Sequence, residues 1–180
     1  MSDQPWRNPR PAPKLVEVQP RLTSSTIPDL LRAWWPALLW AGFIFFMSTD
    51  AFSQEHTSGF IEPLIHWLMP NLPHRQVVHI HHIIRKCAHF TEYFIFSVLL
   101  FRAVRGARIG WRWTWGLTAL IIAAGYACLD EIHQAFVASR TATPWDSLLD
   151  SIGAFFAYLA LFTYFHLRKP QTSKETTEHP

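Results

Sequence analysis

Hydrophobic residues along this chain collect into four long runs, about 30–47 (LLRAWWPALLWAGFIFFM), 83–104, 113–129 and 148–165, with polar stretches between them. Each run approaches the ~20 residues that an α-helix needs to cross the hydrocarbon core of a bilayer. Backbone groups in lipid must be satisfied within their own segment, so such spans are helices. The third run carries no charged residue, so it lacks the polar outer stripe that a helix of a soluble bundle requires. The pattern predicts an all-α, polytopic membrane protein built as a bundle of four transmembrane helices.

The polar stretches differ in kind. Within the long link 48–82, the segment GFIEPLIHWLM (Gly59–Met69) mixes apolar residues with Glu62 and His66 and stops at Pro70, which predicts an external interfacial helix. From Pro73, a first-turn residue by type, PHRQVVHIHHIIRKCAHF reads as one helix running on into the second span. Proline-rich residues 1–28 and polar residues 169–180 read as disordered cytoplasmic tails around a transmembrane domain over 29–168. The first apolar run begins only near Leu30, so no cleavable leader is expected.

Composition and charge sharpen this picture. Hydrophobic residues make up 49% and charged residues 16%, against about 25% charged in soluble domains. Trp34, Trp35, Trp111, Trp113 and Trp145 stand near the ends of runs, as interfacial aromatics do. The net charge is +3, but the basic residues lie beside the apolar runs instead of on a soluble face, which argues against a nucleic-acid partner. Arg7, Arg10, Lys14, Arg21 and Arg32 precede the first run, Arg102, Arg105, Arg108 and Arg112 follow the second, and Arg168, Lys169 and Lys174 follow the fourth. With four spans these groups share one side, and the positive-inside rule makes that side, and both termini, cytoplasmic.

The candidate chemistry lies at the opposite, outward side. Arg85, Lys86, His89, Glu92, Tyr93, Asp130, Glu131, Gln134, Arg140, Asp146 and Asp150 fall at or just inside the ends of the runs. A charge at membrane depth costs roughly 2.5–3.5 kcal/mol on insertion scales, so it persists where it has partners or lines a wet cavity. Helical spacing tests convergence. His82, Lys86, His89 and Tyr93 form one stripe with Glu92 on its edge; Ala119, Ala123, Ala127 and Glu131 form an i+4 row; Asp146, Asp150, Gly153, Ala157 and Ala160, at alternating spacings of four and three, form a similar face. Small residues in such rows mark close helix contacts, so these polar groups should point into the bundle. Crowded carboxylates favour sharing a proton, and the start of the fourth helix favours Asp146 and Asp150 through its dipole. A buried ion-pair network that only fixes helix register is the plainer reading; the number of polar groups gathered argues for a functional pocket.

Other chemistries are less well supported. The histidines of 74–89 are dense, but HExxH is absent and DEIHQ offers no i, i+4 pair, so no metal site is expected. Ser139 and Ser147 lie near the cluster without a GxSxG context. Cys87 and Cys128 belong to no CxxC pair and read as buried free thiols, although a disulfide between them is geometrically conceivable.

The stretches KCAHFTEYFIFSVLL (Lys86–Leu100) and DEIHQAFVASRTATPWDSLLDSIGA (Asp130–Ala154) resemble the VanZ-like family of bacterial membrane proteins. Lys86, His89, Phe90, Glu92, Tyr93, Asp130, Glu131, Gln134, Phe136, Arg140, Asp146 and Gly153 match its pattern, and FFMSTDAFS resembles its segment at the end of the first span, so that the likeness covers about 34–165. Ala138 stands where proline is usual and Asp150 where asparagine is usual, the latter adding a carboxylate. The resemblance implies the bacterial cytoplasmic membrane, an envelope role and a link to low-level teicoplanin resistance. It names no reaction and no cofactor.

The site expected from these readings binds an anionic envelope lipid or a lipid-linked cell-wall precursor. Arg85, Lys86, Tyr93, Gln134, Arg140, Asp146 and Asp150 are its ligand-binding residues. His89, Glu92, Asp130 and Glu131 are catalytic candidates that orient those groups or transfer protons. A non-enzymatic membrane accessory protein is the alternative, and a proton-coupled lipid or solute transporter the third reading.

Overall fold

A computed structural model describes residues 27–49, 54–137 and 143–168. These form five helices: α1 (Ile27–Met47), α2 (Gln54–Leu68), α3 (His74–Arg105), α4 (Trp113–Ala135) and α5 (Pro144–Leu167). Four of them, α1, α3, α4 and α5, are long and apolar enough to cross a membrane. Each contains the corresponding run of the sequence. Residues 1–26 and 169–180 of the expected tails, and Arg140, lie outside the described residues; Ile27 and Pro28, expected in the first tail, belong instead to the first turn of α1.

Proline marks two of the helix starts: Pro73 caps α3 and Pro144 stands in the first turn of α5. Both positions tolerate the missing N–H. As expected, the segment after Pro73 continues into the second span without a break. The resulting helix has 32 residues. At about 1.5 Å per residue it is about 48 Å long, well beyond the ~30 Å of hydrocarbon.

α3 is the hub, packing most extensively against α5 and then α4, with α1 along one flank. Tyr93, Phe96, Leu100 and Phe101 of α3 are buried against Ala119, Ala123 and Ala127 of α4 and Ala154 and Ala157 of α5. Alanines on two of the three helices let the backbones approach closely. At Gly153 the approach is tightest, and a Cβ there would run into the carbonyl oxygen of Phe90. α1 buries little beyond Ala37 and Ile44. Two side chains tie it on: the Trp40 indole N–H donates to the Glu92 carbonyl at 3.0 Å, and the Tyr126 hydroxyl donates to the Ala41 carbonyl at 2.8 Å.

The buried faces depart in part from the rows expected of them. The row expected on α4 is an i+4 series, which drifts round a helix that repeats every 3.6 residues. On α4 the buried face runs from Ala127 to Asp130 and Gln134, leaving Glu131 half-buried. On α5 it takes in Ala154 and leaves Ala160 exposed, and on α3 His81 is buried where His82 is exposed. Cys87 and Cys128 are free, as expected, but stand on the outer surface instead of in the core.

The two ends of the bundle differ. At one end Arg105 lies over the rings of Phe101 and Phe165, and Arg108 and Arg112 lie over Trp115. Trp111 packs there among Phe101, Tyr158, Phe162 and Phe165. The link from α3 to α4 turns through Gly106 and Gly110, whose φ of 59° and 85° suits glycine. At the other end, α2 docks on the overhanging start of α3. Ile65 is buried, Glu62 lies 3.8 Å from His81 Nδ1, and the Thr57 hydroxyl is 3.4 Å from His81 Nε2. Phe60, Leu64, Trp67 and Leu68 of α2 stay exposed along one stripe, the form of an interfacial helix.

Candidate functional site

The end of the bundle beside α2 gathers the end of α1, the second to fifth turns of α3, the last turns of α4 and the first turns of α5. Two linked groups of polar side chains form there. The first is a buried triangle. Ser48, just past α1, donates its hydroxyl to Asp130 Oδ1 at 2.5 Å. The Gln134 amide donates to Asp130 Oδ2 at 2.9 Å and to the Ser48 oxygen at 3.3 Å. All three side chains are buried. Asp130 and Gln134 are one turn apart, so α4 presents both to the same serine.

The second group joins α3 to α5. Lys86 Nζ lies 3.0 Å from Asp146 Oδ1, with both side chains more than a third exposed. One turn deeper, His89 Nδ1 faces Asp150 Oδ1 at 3.6 Å, and the Asp150 side chain is almost wholly buried. The spacing 86/89 on α3 meets 146/150 on α5 because the two helices run parallel, both starting at this end, and are in close contact at Gly153. Between the two groups stands Tyr93. It is fully buried, and its hydroxyl has no hydrogen-bond partner among the described residues. Asp130, Asp150 and Glu92 all lie within its electrostatic reach. Arg85 feels Asp146 and Glu92 in the same way. Glu131 accepts the backbone N–H of Thr143 and so fastens the start of α5 to α4.

The site residues expected from sequence therefore divide. Lys86, His89, Tyr93, Asp130, Gln134, Asp146 and Asp150 come together through contacts or shared electrostatics. Arg85, Glu92 and Glu131 stand at the edge of the group. Arg140 belongs to the segment outside the described residues. Sequence reasoning passed over Ser48, although FFMSTDAFS was part of the resemblance and contains it. It also passed over Trp40, which reaches α3 only through a backbone carbonyl. His133 stacks on Phe45 at 4.6 Å.

Chemically, the arrangement sets an exchangeable cation, Lys86, at the rim and buried acids beneath it. His89 faces Asp150 at 3.6 Å, looser than a formed hydrogen bond, and the Tyr93 hydroxyl is buried nearby within the field of the same carboxylate. Among the described residues, no three His, Cys, Asp or Glu side chains come together so as to hold a metal ion.

A family model described as VanZ/LLP1 matches residues 33–166. The chain belongs to this family. The matched span of the VanZ/LLP1 chain begins within α1 and ends within α5, so it takes in both polar groups and α2. No curated protein and no solved structure matches the chain. With its four long apolar helices, this VanZ/LLP1 member is a multi-pass membrane protein.

Proposed function

We propose that this protein binds an anionic lipid of the bacterial envelope, or a lipid-linked cell-wall precursor, at the polar end of its bundle. The observation that carries the reading is the Lys86–Asp146 pair, partly exposed at the rim of a cluster of buried acids. An ion pair of that exposure contributes little to stability, so a phosphate or carboxylate head group can displace Asp146 at low cost. Arg85 adds positive charge near the same pair; Arg140, outside the described residues, is a further cation of the expected site. Beneath the rim His89, Glu92, Asp130 and Glu131 orient the head group or move a proton, and group transfer at a lipid phosphate is the reaction that would use them.

The orientation that goes with this reading puts the polar end on the extracytoplasmic side of the cytoplasmic membrane. Arg102, Arg105, Arg108 and Arg112 at the opposite end, with Arg32 and Arg168, support it through the positive-inside rule. Both termini are then cytoplasmic. A link to teicoplanin resistance rests on the family likeness alone; holding the lipid-linked precursor that the antibiotic targets would supply a physical route.

A second reading has its own support. The Ser48–Asp130–Gln134 triangle satisfies itself, as a structural fastener does. A non-enzymatic accessory role would need no more than that.

The two readings separate on purified protein. Lys86→Gln should lower co-purifying anionic lipid, measured by native mass spectrometry, about tenfold or more, since hydrogen bonds to charged groups contribute about 1.5–3 kcal/mol. Unchanged lipid in Lys86→Gln and His89→Ala would leave the accessory role.

A further inference from the structure

Beside the polar cluster, between α1 and α3, lies a lateral groove of about 430 Å³. Its α1 wall is Trp40 and Phe43, and its floor runs along α3 from Ile84 through Cys87, Ala88 and Thr91 to Ile95, with Glu92 on one edge. We propose that this groove holds one acyl chain of a phospholipid whose phosphate sits at Arg85, so that the protein grips a lipid from the side. The proposal rests on the head-group reading above and adds to it the class of lipid and the path of its tail.

Four observations carry it. First, the groove separates two spanning helices and opens outward, with Phe43 and Ile84 more than 40% exposed, so hydrocarbon is the medium at its mouth. Second, its length suits the occupant. Ile84 to Ile95 covers about 16 Å at about 1.5 Å per residue, close to the ~15 Å of one leaflet. An isoprenoid carrier chain outruns that depth, whereas an acyl chain ends within it. Third, the surface is apolar and rigid. Thr91 turns its hydroxyl to the Cys87 carbonyl at 2.8 Å and leaves its methyl to face a ligand, and the Trp40 ring is fixed by its hydrogen bond to Glu92. Fourth, the charges are complementary at one end only. Arg85 follows Ile84 at the head of the floor, so a tail lying along it brings its phosphate within reach of that guanidinium, while Lys86 faces Asp146 on the far side of α3.

The test uses the full chain with Cys128→Ser, reconstituted in vesicles with phospholipids that carry a diazirine on the acyl chain. Cross-links mapped by mass spectrometry should concentrate several-fold on Trp40, Phe43 and residues 84–95 over lipid-facing Ile121 and Phe155. Ala88→Trp should remove the excess. Cys87, then the one remaining thiol, gives a second reading independent of that variant: a hydrophobic maleimide should label it more slowly as phospholipid replaces detergent. Cross-links spread evenly over all lipid-facing helices, or Cys87 labelling indifferent to lipid, overturn the groove. Capture of a polyprenyl phosphate probe in place of the phospholipid overturns the acyl assignment. Groove labelling that is equal for zwitterionic and anionic probes keeps the tail site and sinks the head-group reading. Anionic selectivity with dispersed tail cross-links does the reverse.

Discussion

Gly153 shows how one missing methyl group positions the site. Its backbone lies against the Phe90 carbonyl with no room for a Cβ. Gly153→Ala must therefore push α5 away from α3, at about 1–3 kcal/mol for overpacking. The shift separates His89 from Asp150 and Lys86 from Asp146 together. Unfolding in mild detergent should show the loss of stability, and anionic-lipid co-purification should fall with it. Ser48 has a different role, donating to a carboxylate that burial would otherwise leave short of partners. Ser48→Ala should cost about 1–3 kcal/mol. Asp130→Asn removes the charge that needs that donor, so the double variant should lose less than the sum of the single ones. Strict additivity in the cycle would mean that the serine is not a partner of that carboxylate in the bilayer.

Among helices, α2 and α3 make a separable pair. Ile65 and the Glu62 and Thr57 contacts to His81 hold α2 down. His81→Ala should raise hydrogen exchange across residues 54–68 at least several-fold and leave α4 and α5 unchanged. Equal acceleration everywhere would show that α2 docking and bundle stability are one event. Much of this was legible in the chain. Length and apolarity sufficed to find the spans, and Pro73 marked one start; Pro144, ahead of the expected fourth run, did not enter that reading. The convergence of Lys86, His89 and Tyr93 with Asp146 and Asp150 followed from spacing alone. Depth along a row was harder, because an i+4 series drifts off a 3.6-residue helix: Glu131 was expected on the packing face, and Asp130 holds that place. Ser48 was beyond spacing arguments altogether, since its partner is 82 positions away.

For the bundle taken together, the asymmetry of its ends is the testable property. Arginines over aromatic rings close one end, and acids with a few cations fill the other. If the orientation proposed above holds, a cysteine at Asn71, between α2 and α3, reacts with an impermeant maleimide added to intact cells, and one at Gly106 reacts only after permeabilisation. Both are to be introduced into the Cys87→Ser, Cys128→Ser background. The reverse pattern would turn the protein over and remove the extracytoplasmic site.

α1 packs along the flank of α3, buries few residues and carries no charge from Ala33 to Met47. During synthesis it leaves the ribosome before any helix it can pack against, and it can wait in lipid alone. The later helices cannot. α3, α4 and α5 each bring carboxylates that cost roughly 2.5–3.5 kcal/mol apiece when inserted without company. Stable insertion of α3 and α4 should therefore depend on α5, which delivers the residues that Lys86 and His89 face. A chain truncated before Pro144 should not insert stably and should be degraded, even though every span it contains is apolar enough to cross.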